Sequence, residues 1–373
     1  MNQLYISLLR AGDFIMQVPL IRSNHKNGET HVVINDEFRQ LENLYPEFHF
    51  HFFPRQLIQK TINDSSTSLL KPYIILQDFL HELEYINWNE IYNLSHTRIS
   101  AYLMNELKAP KKKGLQHDGQ SFIPFNNQWM RFLNDRFSEN KRSPYHYLTV
   151  LSQALDLAVP PAQLKEKRDS ADILFQCFTS DRKKNWPLEK WAELLQRLQK
   201  SRSELDVKVL CAPSELNDLK AFFPESNLKV ASLTEARNLI KAARLLICGD
   251  TSMAHLAAET RTPVLTLSLG SSDLTKTAPW QQGAFVITAT TSCSPCLHSH
   301  QCPYAITACG DSLNVRSVLS AALAQLEDRN FISLAEPERV FRMEYQIRYG
   351  LIPKEISLSR RKDGIIEQDI ELL

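Results

Sequence analysis

The sequence is poor in glycine, free of long apolar runs and almost neutral in net charge. It has 10 glycines in 373 residues, so each glycine at a turn is informative. It contains no run of roughly 18 apolar residues, so we expect no membrane-spanning helix. The net charge of +1 provides no overall field that would select a polyanion, so we expect no nucleic-acid partner.

Motifs of several enzyme classes are also missing. The chain lacks Gly-x-x-x-x-Gly-Lys-Ser/Thr, Gly-x-Gly-x-x-Gly, His-Glu-x-x-His and Gly-x-Ser-x-Gly, which argues against P-loop kinases, nicotinamide dehydrogenases, zincins and serine hydrolases. It also lacks Asp-x-Asp, so a carboxylate-held divalent ion on substrate phosphates is not indicated. Residues 1–10 have no basic region or cleavage site of a signal peptide, so we expect a cytoplasmic protein.

Alternating strand and helix patterns occupy most of the chain, and 43% of its residues are apolar. Two prolines at 160–161, followed by the charged segment Lys165–Asp169, indicate a linker between two halves. We therefore expect an α/β protein of two facing Rossmann-like domains with parallel sheets and an interdomain cleft, residues 1–160 and 161–330. Residues 331–373 form a partly helical tail, and packing back on the first domain is one arrangement open to it.

The clearest local signal is the stretch Leu245–Glu259. An apolar strand, Leu245–Cys248, turns at a Gly-Asp pair and continues as a helix. Asp250, Thr251 and Ser252 are residue types that cap a helix N-terminus. A helix start at the carboxyl end of a parallel strand presents free N–H groups, and phosphate is the ligand that suits them. An ordinary strand–helix turn is the alternative interpretation.

A second polar loop follows the first strand of the second half. It carries the hydroxyls of Thr179 and Ser180 and the ammonium of Lys184 just before Pro187, which suits the first turn of a helix. Hydroxyls and lysines at this position favour a phosphate group, although a solvated basic loop has the same composition. His255, one turn into the later helix, is a further candidate, but a lone helical histidine is more often structural.

In the first half, Asp13 follows Gly12 at the first strand–helix turn. A carboxylate at this edge of the sheet can accept a proton from a substrate hydroxyl. The alternative is that Asp13 caps the first helix.

Four of the seven cysteines lie within 17 residues, at Cys293, Cys296, Cys302 and Cys309. A Cys-x-x-Cys step with two further cysteines nearby can close a tetrahedral thiolate site for structural zinc or iron. Reduced cysteines that pack a loop are the alternative.

Three blocks together resemble glycosyltransferase family 9, the lipopolysaccharide heptosyltransferases. The N-terminal block is Arg10-Ala-Gly-Asp13 with Pro19. The second is Lys184-Asn-Trp-Pro187, and the third is Asp250-Thr-Ser-Met-Ala-His-Leu-Ala-Ala258. The four-cysteine segment follows in the position expected from the family, and the similarity covers roughly residues 1–325.

The resemblance implies a GT-B fold and an inverting transfer of heptose from ADP-heptose to a lipopolysaccharide core-type glycolipid, with no cofactor needed for catalysis. By similarity, Asp13 is the base that deprotonates the acceptor, Lys184 pairs with the donor phosphates, and Thr179 or Ser180 bonds to them. Backbone N–H groups for the pyrophosphate would come from Thr251, Ser252 and Met253.

The sequence departs from the family at Ser252, where the family has glycine, so the donor's identity stays open. Arg98 and the run Lys111–Lys113 are candidates for contact with acceptor phosphates or anionic lipid, which would make the protein peripheral to the inner membrane. A solvated loop is the alternative for the lysines. Two other functions remain open: transfer from another nucleotide sugar to a protein or another surface glycan, and nucleotide-sugar binding without catalysis.

Overall fold

The structure is a computed structural model that describes residues 1–123, 127–134, 143–168, 170, 172–304, 307–334, 337–347 and 349–359. The chain divides into two compact units. The first unit contains Met1–Ser138 and Val150–Pro160, and the second contains Glu139–Thr149 and Pro161–Leu373.

The first unit is built on a parallel sheet of five strands in the order β3-β2-β1-β4-β5. Its central strand is fully buried and pairs on both sides, with Ile6 opposite Val33 on one neighbour and opposite Asn93 on the other. Leu4, Tyr5 and Ile6 of β1 are all completely buried, as is typical of a parallel strand that is covered on both faces. The strands are β1 (Gln3–Ile6), β2 (Thr30–Asn35), β3 (His49–Phe53), β4 (Glu90–Asn93) and β5 (Lys111–Lys113).

Helices connect these strands, and most of them bury apolar side chains. In α3, for example, Phe79, Leu80 and Leu83 are buried, while its first turn is exposed. The helices are α1 (Ala11–Ser23), α2 (Arg55–Asn63), α3 (Lys71–Glu84), α4 (Arg98–Glu106), α5 (Gln128–Phe132) and α6 (Tyr147–Leu155), with a 3₁₀ segment at Asp36–Asn43. The division between the two units runs through α6.

The second unit contains a larger sheet in the order β16-β15-β13-β11-β10-β7-β8-β9. The strands from β13 to β9 are parallel, and β10 lies at the centre with Leu246 opposite both Leu174 and Val264. Its strands are β7 (Asp172–Gln176), β8 (Asp206–Cys211), β9 (Leu228–Val230), β10 (Leu245–Gly249), β11 (Val264–Ser268), β13 (Phe285–Thr288), β15 (Arg339–Gln346) and β16 (Gly350–Glu355). Short pairs are formed by β6 (Gln163–Leu164) with β12 (Gln281–Gln282) and by β14 (Ile332–Leu334) with β17 (Ser357–Ser359).

The predicted strand–turn–helix–strand unit is present as β10, α10 and β11, and α10 begins at Ser252. In the hydrophobic core of the second unit, aliphatic side chains of the sheet pack with Trp186 and Trp191. The rings of these two tryptophans lie edge to face, with their centroids 5.2 Å apart. The helices are α7 (Leu188–Ser201), α8 (Leu216–Lys220), α9 (Leu233–Ala242), α10 (Ser252–Glu259), α11 (Leu274–Thr277), α12 (Ala308–Ser312) and α13 (Val315–Leu326), with 3₁₀ turns at Arg182–Lys184, Pro213–Glu215 and Glu225–Asn227. Within the described residues, no helix is long and apolar enough to cross a membrane.

The prediction of a partly helical tail is wrong for the described residues after 330, which form strands. β15 pairs antiparallel with β13 and then with β16, so the tail extends the second sheet beyond its parallel part. Val340 and Met343 are buried on β15, and Gly350 allows the chain to re-enter the sheet at a φ of +76°. Pairing with distant β13, rather than local helix propensity, decides the conformation here.

Candidate active site

The turn between β10 and α10 is held by two hydrogen bonds of one threonine hydroxyl. Thr251 is the N-cap of α10, and its hydroxyl accepts the N–H of Met253 at 3.1 Å. The same hydroxyl donates to Oε1 of Gln176, at the end of the neighbouring strand β7, at 3.3 Å. Because the N–H of Met253 is engaged by the cap, the N–H groups of Thr251 and Ser252 are the better placed donors for an anion.

A buried ion pair lies beside this helix start. Nζ of Lys184 is 3.1 Å from both the backbone carbonyl and the carboxylate Oδ2 of Asp250. The two side chains are only 11% and 14% exposed. Asp250 therefore fixes the turn and holds the ammonium at the helix N-terminus, which brings two of the predicted donor residues into direct contact.

The loop after β7 is held by its own polar groups. The backbone N–H of Thr179 donates to Asn185 Oδ1 at 2.8 Å, and the Thr179 hydroxyl donates to the carbonyl of Asp181 at 2.7 Å. A Cβ at Gly249 would lie 2.7 Å from Cγ2 of Thr179, so glycine is required for this close approach. The neighbouring Ser180 is exposed. The loop thus packs Thr179 against Gly249, the last residue of β10, at the turn that leads into α10.

Two histidines are buried in this part of the second unit, His255 within α10 and His146 at a distant position in the sequence. Burial lowers the pKa of His255 to about 4, and nearby Lys184 lowers it further while Asp250 opposes the shift. Burial lowers the pKa of His146 to about 3; its Nε2 donates to the carbonyl of Ala278, since its Nδ1 accepts the N–H of Leu148. Both imidazoles are neutral at physiological pH. His255 therefore adds no positive charge to the phosphate site, and its contact with the donor stays a prediction.

In the first unit, Asp13 occupies the first turn of α1, and its Oδ2 accepts the N–H of Arg10 at 3.1 Å. Capping is thus present, as the alternative interpretation expected. The hydroxyl of Ser7, just after β1, donates to Oε1 of the buried Gln17 in α1 at 2.7 Å. This hydrogen bond links the two elements on either side of the turn. Asp13 is only partly buried at the carboxyl edge of the sheet, so the same carboxylate is accessible to a substrate hydroxyl.

The loop after β4 reaches the same edge. Arg98 is the first residue of α4 and is exposed. In the preceding loop, Nε2 of His96 is buried without a hydrogen-bond partner among the described residues, and burial lowers the pKa of this imidazole to about 4. No motif in the sequence distinguishes His96, because its environment depends on how this loop packs.

The family model for glycosyltransferase family 9 (heptosyltransferase) matches residues 77–305, which is more than half of the chain. The chain belongs to glycosyltransferase family 9. It is therefore a glycosyltransferase of the heptosyltransferase family, as the three sequence blocks indicated. No curated protein sequence matches the chain.

Solved structures of this family share the fold. Escherichia coli heptosyltransferase WaaC, solved with ADP, is 16% identical and covers 87% of this chain and 100% of its own, with a TM-score of 0.58. E. coli ADP-heptose lipopolysaccharide heptosyltransferase II is 19% identical over 88% and 99%, with a TM-score of 0.60. A family 9 glycosyltransferase from Veillonella parvula is 16% identical over 88% and 97%, also at 0.60. The predicted α/β fold of the GT-B type, with parallel sheets, is confirmed.

One predicted acceptor residue of this family 9 enzyme is engaged elsewhere. Nζ of Lys111 contacts the buried carboxylate of Glu90 at 3.2 Å and the hydroxyl of Tyr92 at 2.9 Å. Burial alone would raise the pKa of Glu90, but hydrogen bonds from Lys26, Gln3 and Lys111 outweigh it and lower the pKa to about 2. Glu90 begins β4, so Lys111 lies at the amino edge of the sheet, opposite the edge that carries Arg98. Acceptor contact by Arg98 and by Lys111 stays a prediction.

The cysteine segment does not form the predicted metal site in the described part of the chain. No three His, Cys, Asp or Glu side chains among those residues are arranged to hold a metal ion. Cys309 is buried and its sulfur accepts the N–H of Gly270 at 3.3 Å, whereas Cys293 is exposed. The residues as placed do not fit a four-thiolate centre.

A buried lysine fixes the cysteine segment instead. Nζ of Lys183 donates to the carbonyls of Leu297, His298 and His300 at 3.0, 2.6 and 2.8 Å. Lys183 is adjacent to Lys184, so the 3₁₀ turn that carries Lys184 also anchors the cysteine segment through Lys183. From the sequence, Lys183 and Lys184 belong to one basic loop. Only the tertiary fold shows that Lys183 binds the cysteine segment and Lys184 binds Asp250.

Proposed function

We propose that this enzyme transfers heptose from ADP-heptose to a lipopolysaccharide core-type glycolipid, with inversion at the sugar's anomeric carbon. The observation that carries the proposal is the contact between Lys184 and Asp250 at the start of α10, beside the Thr251 cap. Family membership supports heptosyl transfer, and the related WaaC structure contains ADP. We place the enzyme at the cytoplasmic face of the inner membrane, where such an acceptor is made.

In the proposed reaction, Asp13 accepts the proton of the acceptor hydroxyl, whose oxygen forms a bond to C1 of the heptose. The bond between C1 and the β-phosphate oxygen breaks at the same time, and ADP leaves. Lys184 and the N–H groups at the start of α10 stabilise the charge that develops on the diphosphate. Each such contact contributes about 3 kcal/mol to the transition state, so the reaction needs no metal ion.

Ser252 supports a second candidate, transfer from a different nucleotide sugar. The residue stands at the first position of α10, where its side chain adds bulk and a hydroxyl next to the phosphate-binding N–H. A glycine at this position would leave more room for the pyrophosphate. The acceptor in this case would be a protein or another surface glycan.

The donor is tested with a thermal-shift panel of ADP- and UDP-sugars. A ligand at 100 times its dissociation constant adds about 2.7 kcal/mol to the stability of the folded state. We expect the largest shift with ADP-heptose. A response to a UDP-sugar alone would favour the second candidate, and no response to any nucleotide sugar would favour a family member without catalysis.

The catalytic assignment is tested by Asp13→Asn in an assay of ADP release from ADP-heptose and deacylated core glycolipid. The Asn side-chain carbonyl still accepts the N–H of Arg10, so we expect unchanged thermal stability and a loss of turnover of about 100-fold or more. Asp118→Asn is the matched control, because Asp118 also caps backbone N–H groups, of Gln120 and Ser121 at 2.9 and 2.7 Å. Turnover of Asp13→Asn within tenfold of wild type would refute Asp13 as the base.

A further inference from the structure

The first unit has an exposed apolar surface on α2, α3 and the loop between them. α2 buries no residue completely, although Ile58 packs partly on the core. In the connecting loop, Leu69 is 96% exposed and Leu70 is 66% exposed. This α2–α3 surface consists of six exposed side chains within 18 residues, namely Leu57, Ile62, Leu69, Leu70, Tyr73 and Ile74.

The exposed side chains of α3 share one face. Leu70 already has helical backbone angles, and Tyr73 and Ile74 follow it at i+3 and i+4, so the three lie next to one another. The core-facing side of α3 is a different set, Phe79, Leu80 and Leu83. The first turn of α3 thus has apolar side chains that the fold leaves in solvent, and such a patch indicates an interaction site.

Charge at the rim favours one class of partner. Residues 56–74 carry two cations, Lys60 and Lys71, against the single carboxylate of Asp64, and the preceding Arg55 pairs with Glu37 at 2.6 Å. Lys60 and Lys71 have no ion-pair partner within the described residues. Exposed leucines beside lysines without an ion-pair partner are suited to the interface of an anionic lipid bilayer. There the apolar side chains insert among the acyl chains, and the ammonium groups bind the anionic headgroups.

The position of the surface fits the proposed acceptor. α2 begins directly after β3, and α3 returns the chain to the start of β4, so the first turn of α3 lies toward the carboxyl edge of the first sheet. Asp13 and Arg98 lie at that same edge. A bilayer in contact with the α2–α3 surface would therefore present a lipid-linked acceptor on the side of the sheet that carries the candidate base.

We infer that the α2–α3 surface docks the enzyme on an anionic membrane by inserting Leu69 and Leu70 among the lipids, with Lys60 and Lys71 at the headgroups. The inference rests on the glycolipid acceptor of the proposed function. Its test uses neither donor nor acceptor, so docking and catalysis can fail independently of each other.

The test is flotation of the full chain with vesicles of phosphatidylethanolamine and phosphatidylglycerol, compared with vesicles of phosphatidylcholine. We expect binding to the anionic vesicles only. Leu69→Ser/Leu70→Ser should weaken partitioning by roughly 100-fold, about tenfold for each leucine. Val230→Ser/Phe331→Ser, two exposed apolar residues of the second unit, is the matched control and should bind like wild type.

The lysines are tested separately with Lys60→Gln/Lys71→Gln, which should reduce binding about fivefold for each charge and weaken its salt dependence. Failure of wild type to float, or equal binding by the leucine variant and wild type, would overturn the inference. A dimer of wild type that the leucine variant converts to monomers, with no flotation of either, would overturn it in favour of a second copy as the occupant.

Discussion

Replacement of Lys184 by Met should destabilise the protein and slow catalysis for two separable reasons. The substitution leaves the carboxylate of Asp250 largely buried, with no ammonium 3.1 Å away. An unpaired buried charge of this kind costs about 3 kcal/mol of unfolding free energy. Loss of the positive charge should also remove about 3 kcal/mol of transition-state stabilisation, or roughly 100-fold in turnover.

The double variant Lys184→Met/Asp250→Asn separates the two effects. Removal of both charges leaves no buried ion unpaired, so the unfolding free energy should return to within about 1 kcal/mol of wild type. Turnover should stay low, because the developing charge on the diphosphate still lacks its cation. Stability is measured by urea titration, and turnover by ADP release at saturating donor.

Lys208→Met is the matched control for this cycle. Lys208 pairs with Asp206 at 3.0 Å, but both side chains are about one-third exposed or more, so its loss should cost less than about 1 kcal/mol. Recovery of turnover in the double variant would refute the phosphate role of Lys184. It would show that the lysine serves only to neutralise Asp250.

Two further predictions concern histidines and thiols. Burial and the neighbouring His31 and His49 lower the pKa of His51 to about 4. The contribution of His51 to stability is therefore complete above the unfolded pKa of about 6.5 and is lost as the pH falls toward 4. His51→Gln should flatten the fall of the urea midpoint over this pH range, whereas the control His81→Gln, at an exposed position, should not. Under native conditions Ellman's reagent should react fastest with exposed Cys293 and not with the buried thiols, and protection of four thiols by added zinc would contradict the observed arrangement of the cysteine segment.

The turn from β10 into α10 was predictable because its signals are local. The apolar run of β10, its Gly-Asp turn and the capping residue Thr251 lie within a few positions of one another, and the structure places α10 at Ser252. Asp13 was equally accessible to sequence reasoning as a turn carboxylate. Its capping bond to Arg10 spans only three residues.

The failures arise from contacts between distant residues. Gln176 orients a threonine 75 positions away, and nothing in the local sequence around β7 indicates that partner. Lys111 looked like part of a basic loop until its pairing with Glu90 placed it at the amino edge of the sheet. The spacing of the four cysteines likewise indicates that their thiols could bind a metal ion. It does not indicate that the sulfur of Cys309 accepts a hydrogen bond from the N–H of Gly270.

The residues proposed to bind the donor phosphates already satisfy part of one another's charge and hydrogen bonding. Lys184 and Asp250 partly cancel each other's charge, and the hydroxyl of Thr251 is held between Met253 and Gln176. In the proposed donor site, Asp250 offsets part of the Lys184 charge in the resting state, so the directed N–H groups at the start of α10 would contribute to phosphate binding beside the ammonium. Hydrogen bonds from backbone N–H groups to a phosphate require an exact backbone position. Ser252 provides one of these N–H groups and also a side chain beside it. Discrimination among nucleotide sugars should consequently depend on this residue more than on the overall charge of the site.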